Sequence, residues 1–310
     1  MLTHIIAGKM SKTLSSKGAS IFVHQRKIFH QQLVSEDLFA LNTKTKKKGL
    51  IDLPSIADGD NADSISIARY LLDRLNCLNV RPALTPQAAG SRFEKVCKAF
   101  LTATFLEFKH LRPGIWTIDA LNSRTQLEIA RFEQYSHLKN VAEACKKDGQ
   151  LAASLGQDYL IAPDIVVLRT PEPDEAINLP GRTMVDEVRA RRTGMRAANN
   201  SLPLLHASIS CKLTIRSDRV QNSRSEALNL IRNREGRVPH ITVITAEPLP
   251  SRLSAIALGT GDIDCVYHVA LDELHEAVKK IGADSQESLR IMMEGKRLRD
   301  IADLPLDLAV

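Results

Sequence analysis

The 310-residue sequence has no CxxC pair, and its five cysteines (Cys77, Cys97, Cys145, Cys211 and Cys265) are odd in number and scattered. That spacing argues against a structural zinc site and against a disulfide framework, and it fits a reducing cytoplasm. No stretch approaches the roughly 18 consecutive apolar residues of a membrane-spanning helix. The apolar part of the opening segment, MLTHIIAGKMSKTLSSKG, is too short and too broken to read as a secretory signal. Internal repeats and an obvious linker are also missing. The expectation is one folded unit over 25–310, preceded by a frayed Ser/Lys-rich extension over 1–24. With 44% hydrophobic and 25% charged residues, a mostly disordered chain is excluded.

The net charge is only +6, from 42 Lys+Arg against 36 Asp+Glu. Its distribution is more telling. Residues 181–240 hold 12 Lys+Arg and 5 Asp+Glu, a local excess of +7 that exceeds the charge of the whole chain. A local basic stripe is the electrostatic footprint of a polyanion binder.

Hydrophobic spacing predicts helices over 22–34, 64–78, 91–108, 135–155, 219–232, 271–281 and 288–301. In the second, Ile65, Ala68, Leu72 and Leu75 share a face, and Ser91 with Glu94 forms a capping-box pattern at the start of the third. Strands are predicted over 125–132, 164–168, 206–215, 241–245 and 265–269. Residues 43–49 read as a charged loop, and 170–200 as a long loop or insertion. Strands and helices alternate, so the expected fold is α/β, a central sheet covered by helices on both faces.

Within that frame, Asp164 follows Pro163 at the start of a strand, and Lys212 lies in a later strand whose other residues alternate apolar and small. Many metal-dependent nucleases use such a pair, because hydrolysis of a phosphodiester builds negative charge that a metal ion and a cation can stabilise. A second acid commonly sits two residues before the lysine, and here that position is Ser210. Glu226 is a candidate replacement, since it falls on one stripe of the following helix with Arg219, off a Val220–Ala227–Ile231 apolar face. The blander readings stay open: Glu226 capping with Ser223, Glu94 capping with Ser91, Asp164 stabilising a turn, and Asp218 capping a helix with Gln221. Arg216, Asp218 and Arg219 could otherwise read G·C pairs, by arginine donation to guanine and aspartate acceptance from cytosine. Arg224, Arg232, Arg234 and Arg237 read as phosphate contacts or a solvated face.

At these residues a family resemblance appears. The stretches LPLLHASISCKLTIRSDRVQNSRSEALNLIRNREGRVPHI and TAEPLPSRLSAIALGTGDIDCVYH closely resemble the NgoMIV type II restriction endonucleases. So do GSRFEKVCKAF, HLRPGIW, LEIARFEQYSHL, LGQDYLIAPDIVVLR and GKRLRDIADLPLDLAV, and the likeness runs from about residue 25 onward. The resemblance implies a restriction-endonuclease-like core, a mixed sheet flanked by helices, with a PD-(D/E)xK site whose second acid has moved to a helix. It implies Asp164 as central metal ligand, Lys212 positioning the water, Glu226 as the relocated acid and Glu94 as an auxiliary acid. The backbone carbonyl of Cys211 would lie near the metal, which would be Mg²⁺. Arg216, Asp218 and Arg219 match the motif that reads an inner CCGG. Arg252 and Asp58 match positions that read the outer pair. The implied reaction is cleavage of double-stranded DNA at GCCGGC after the first G, by a homotetramer of two dimers. One departure is Leu213, where the family has Trp. Two other functions remain to be separated from this one: a repair or recombination nuclease, which would show no sequence preference, and a DNA-binding protein on a degenerate nuclease fold, which would not need the acids and lysine.

Overall fold

The computed structural model describes residues 20–46, 49–121, 127–156 and 162–310, with backbone alone at 46, 217–220 and 283. Helix α1 (Ile21–Ser35) starts where the Ser20 hydroxyl accepts the Val23 N–H, so it begins upstream of the boundary drawn at residue 24. The segment expected as a charged loop over 43–49 is a hairpin instead. Strand β1 (Leu41–Lys46) pairs antiparallel with β2 (Gly49–Pro54), and the Thr43 hydroxyl donates to Asp52 across it at 2.6 Å. Its lysine content misleads because one side of this small sheet faces solvent.

Helix α2 (Ala62–Arg74) is capped by Asn61 and buries Ile67, Ala68, Leu71 and Leu72, while Ile65 and Leu75 are only half-buried. Helix α3 (Pro86–Thr104) starts upstream of the predicted Ser91. Thr85 accepts the Ala88 N–H and Pro86 occupies the first turn. Ser91 and Glu94 therefore lie inside the helix, and the capping-box reading of Glu94 is overturned. A 3-10 turn over Phe105–His110 follows, then strand β3 (Trp116–Ala120), which the sequence pattern did not predict.

No strand covers the described part of 125–132. Residues Glu128–Arg131 form a 3-10 turn, and 125–126 lie outside the described residues. Consecutive Ile129 and Ala130 are both fully buried, a spacing that one strand face cannot supply. The helix predicted over 135–155 is two helices, α4 (Leu138–Lys147) and α5 (Gly149–Leu155). They are separated at Asp148, whose carboxylate accepts the Gln150 and Leu151 N–H groups.

Strand β4 (Ile165–Arg169) leads into a mostly irregular segment containing the short helix α6 (Asp174–Ile177). Strand β5 (Leu204–Lys212), helix α7 (Ser217–Arg232), strand β6 (His240–Thr245), helix α8 (Pro250–Ala257) and strand β7 (Cys265–His268) follow. Helices α9 (Leu271–Val278) and α10 (Ala283–Glu294), strand β8 (Leu298–Asp300) and helix α11 (Leu304–Asp307) complete the chain. The last predicted helix, 288–301, is thus corrected: it ends at Glu294 and gives way to β8.

The main sheet is mixed and six-stranded, in the order β3-β4-β5-β6-β7-β8. The first two pairings are antiparallel and the remaining three parallel. Central β5 is covered on both sides, so Ser208 and Ser210 are buried alongside Ala207, Ile209 and Cys211. Helix α3 buries Phe93, Val96, Cys97, Phe100 and Leu101, and α1 packs on it with the Phe29 and Phe100 rings 5.2 Å apart. All five cysteines are buried free thiols. Among the described residues, no helix is long and apolar enough to cross a membrane.

One ion-pair network ties α1 to the far edge of the sheet. The Arg26 guanidinium donates to Glu273 of α9 at 2.6 and 2.8 Å and to Asp300 of β8 at 2.8 and 2.9 Å. Burial alone would raise the Glu273 carboxyl, but Arg26 outweighs it and holds the group down at about 2. A depressed carboxyl contributes stability that is present above its unfolded value of 4.5 and lost as pH falls toward about 2. Arg26→Ala should cost about 3 kcal/mol at neutral pH, the low end of what breaking a buried pair costs, because this network is partly exposed. It should also flatten the loss of stability between those two pH values. Urea unfolding of both proteins across that range checks both statements.

Candidate active site

Asp164 immediately precedes β4, and Lys212 ends β5. Because Ile165 pairs with Ile209 in the antiparallel ladder, Asp164 comes to lie beside Ser210 and its neighbours. One carboxylate oxygen, Oδ2, accepts the Lys212 ammonium at 2.9 Å, the Cys211 backbone N–H at 2.7 Å and the Ser210 hydroxyl at 3.4 Å. The turn reading of Asp164 does not describe this, since the carboxylate reaches across to the neighbouring strand.

Glu94 comes from α3 and Glu226 from α7. Together with Cys211, Lys212 and Arg216 they line one cleft of about 610 Å³, whose other walls include Asn42 and Lys44 of the β1–β2 hairpin and Asn222 of α7. Helix α7 begins at Ser217, so Ser223 and Glu226 are interior positions and the capping reading of Glu226 also falls. The apolar face of α7 is set by buried Ser223, Ala227 and Leu230, with Ile231 half-buried. Glu226 borders this face and is half-buried.

Burial, with Asp164 nearby, pushes the Glu226 carboxyl up to about 8, and Lys212 offsets only part of this. The same causes push Glu94 up to about 7. Burial would lower Lys212, but Asp164 and Glu226 together hold it above the usual lysine range. The Cys211 thiol is driven well up by burial and by its contact with Cys97, so it stays protonated. Asp164, Glu94 and Glu226 thus crowd around the Lys212 ammonium, and burial with mutual repulsion keeps both glutamates from charging easily.

A hard divalent cation would relieve the repulsion between these carboxyl groups. Such ions take oxygen ligands and keep several waters, so they need no complete protein cage. Among the described residues, no three His, Cys, Asp or Glu side chains form a ready-made cage. The carboxylates of Asp164 and Glu226 and the backbone carbonyl of Cys211 are an oxygen donor set of the kind such an ion accepts.

A second cleft, of about 460 Å³, adjoins the first and shares Arg216 with it. Asp58, from the loop before α2, and Arg252, from α8, line it and form an ion pair with each other. The side chains of Asp218 and Arg219 lie outside the described residues. Their backbone forms the first turn of α7, next to exposed Arg216.

Part of the basic excess is structural. Arg224 pairs with Asp262 and donates to the Ala255 and Ile256 carbonyls near the end of α8, so it is not part of a solvated face. Arg196 is buried against Asp174 at 2.5 Å. The segment 170–203 joins the end of β4 to the start of β5, at the opposite end of those strands from Asp164 and Lys212. The charge counted over 181–240 is therefore not one stripe. Lys44 and Asn222, in contrast, were missed. Nothing in their local pattern marks them, because only the tertiary fold brings the hairpin and α7 to the same cleft.

The family model for the NgoMIV restriction enzyme matches residues 29–310. The type II restriction enzyme NgoMIV of Neisseria gonorrhoeae is 49% identical over 291 residues, covering 94% of this chain and 99% of that protein. A solved restriction endonuclease PspGI–substrate DNA complex aligns with 92% of this chain and 91% of its own, at 13% identity and a TM-score of 0.24. On the length and identity of the first two matches, the chain belongs to the NgoMIV restriction enzyme family, the members of which are type II, site-specific deoxyribonucleases.

Proposed function

We propose that this enzyme hydrolyses double-stranded DNA at GCCGGC, after the first G, leaving a 5′ overhang and requiring Mg²⁺. The observation that carries this reading is the meeting of Lys212, Glu226 and Glu94 in a cleft bordered by Arg216, with Asp164 hydrogen-bonded to Lys212.

Asp164 and Glu226 would hold the metal with the Cys211 carbonyl. A bound divalent cation supplies stabilisation of the charge that builds on the phosphoryl oxygens. Lys212 is held as an ammonium by its acidic neighbours, so it acts as a hydrogen-bond donor that orients the attacking water, not as a base. Glu94 is an auxiliary acid beside the same cleft. Arg216, Asp218 and Arg219 enter the major groove at the start of α7 and read the inner CCGG, by bidentate arginine contacts to guanine and an aspartate contact to cytosine. Arg252 and Asp58 read the outer pair. A palindromic site suits a homodimer in which each subunit reads one half, and two such dimers form the proposed homotetramer. The 25–310 unit is a single domain on this reading.

Digestion of DNA of known sequence, with the ends mapped, tests substrate and cut position together. Cutting confined to GCCGGC and dependent on added Mg²⁺ is expected. Cuts without sequence preference would favour a repair nuclease, and binding without cutting a non-catalytic protein. Asp164→Ala should keep specific binding in a mobility-shift assay while cleavage falls by at least about 10²-fold. Arg219→Ala should lose about 1–3 kcal/mol of discrimination within CCGG, read as relative cleavage of single-substitution sites.

A further inference from the structure

Outside the cleft lies a buried carboxylate that the reaction does not use. Glu247 stands between β6 and α8 and is 0% exposed. Its two oxygens hold different parts of the chain. Oε2 accepts the Ile215 N–H at 2.7 Å, and Oε1 accepts the Leu249 N–H at 3.1 Å. The Arg252 guanidinium lies 3.9 Å from Oε1 and also pairs with Asp58. The Glu247 N–H is itself fixed by the Thr245 hydroxyl at 3.1 Å, and the Ala246 N–H donates to the Leu213 carbonyl at 3.1 Å.

Burying a carboxylate is costly, and an apolar residue of similar size would often stabilise a fold as well or better. Burial pushes Glu247 up to about 7, with the two backbone N–H groups and Arg252 opposing. What distinguishes this acid is what it joins. Ile215 directly precedes Arg216, and Leu249 leads into the first turn of α8, which carries Arg252. Arg216 and Arg252 line the same cleft, and Asp58 feels the charge of both.

We propose that Glu247 is a positioning residue that fixes the spacing between Arg216 and Arg252, so that reading of the inner and outer base pairs is coupled through one buried carboxylate. The inference rests on the assignment of these arginines as base readers. Replacing Glu247 removes the shared acceptor, and both segments lose their common reference. A loss of packing alone would lower cleavage of every sequence alike. A loss of positioning lowers discrimination at inner and outer positions together.

The test compares wild type with Glu247→Gln and the apolar Glu247→Met, measuring kcat/KM on GCCGGC and on sites changed at one inner or one outer pair. Thermal unfolding is followed in parallel. Discrimination at both positions should fall about tenfold or more in either folded variant. Glu247→Asp, which keeps the charge, should recover part of it. A folded variant that keeps wild-type discrimination, or loses it at one position only, would overturn the proposal. Should neither variant fold, hydrogen exchange of the wild-type protein decides. Peptides containing Ile215 and Leu249 should gain protection together on GCCGGC DNA, and together fail to gain it on DNA changed at the outer pair; independent responses would refute the coupling. If the wild-type enzyme does not cut GCCGGC, the functional assignment fails at the outset. Cutting with unchanged discrimination in the variants removes only the role of Glu247.

Discussion

The hydrogen-bonded contact between Asp164 and the end of β5 is the constraint on which the site depends. A single carboxylate oxygen accepts from the Lys212 ammonium and the Cys211 backbone N–H, with the Ser210 hydroxyl at the edge of range. That geometry follows from the antiparallel register of β4 and β5, in which Ile165 faces Ile209. Side chains alternate along a strand, so a slip of one residue would turn Lys212 to the other face of the sheet. The buried runs of β4 and β5 resist such a slip, because both faces of these strands are covered. Core packing therefore positions the reactive groups, and the Lys212–Asp164 bond locks a register that the apolar residues have already chosen.

Around this contact the helices add charge at places the strands cannot reach. Ser210, two residues before Lys212 on the same strand, supplies no charge. Helix α7 delivers Glu226 and α3 delivers Glu94 from two other directions. Each is held by a buried apolar stripe, Phe93 and Cys97 beside Glu94, and Ala227 beside Glu226. The result is a concentration of acid around Lys212, with both glutamates pushed toward or above neutrality by burial and by Asp164. A divalent cation suits such a site, because it would offset the repulsion between the buried carboxylates.

The candidate site residues were legible in the sequence because their types were unusual for their surroundings. Lys212 in an otherwise apolar strand and Asp164 at a strand start both stand out, and β4, β5, β6, β7 and α7 were all foreseeable from periodicity. The blander assignments of Glu94 and Glu226 as caps depended on where their helices begin. Local pattern is weakest there: Thr85 and Pro86 start α3 well before Ser91, and α7 starts at Ser217 before Ser223. The hairpin over 41–54 and strand β3 were hidden because exposed polar residues obscure alternation at the edge of a fold. Arg224 and Glu247 were illegible for another reason. Their partners are distant in sequence, so nothing local separates a structural arginine from a DNA-facing one, or a buried acid from a surface one.

The most direct test of the account is a map of where the metal binds. Crystals of the enzyme with GCCGGC DNA, soaked in Mn²⁺ and measured at a wavelength with strong manganese anomalous scattering, would locate it. A peak contacted by the carboxylates of Asp164 and Glu226 and by the Cys211 carbonyl is expected. A peak that touches neither carboxylate, in an enzyme that cuts its DNA, would contradict it.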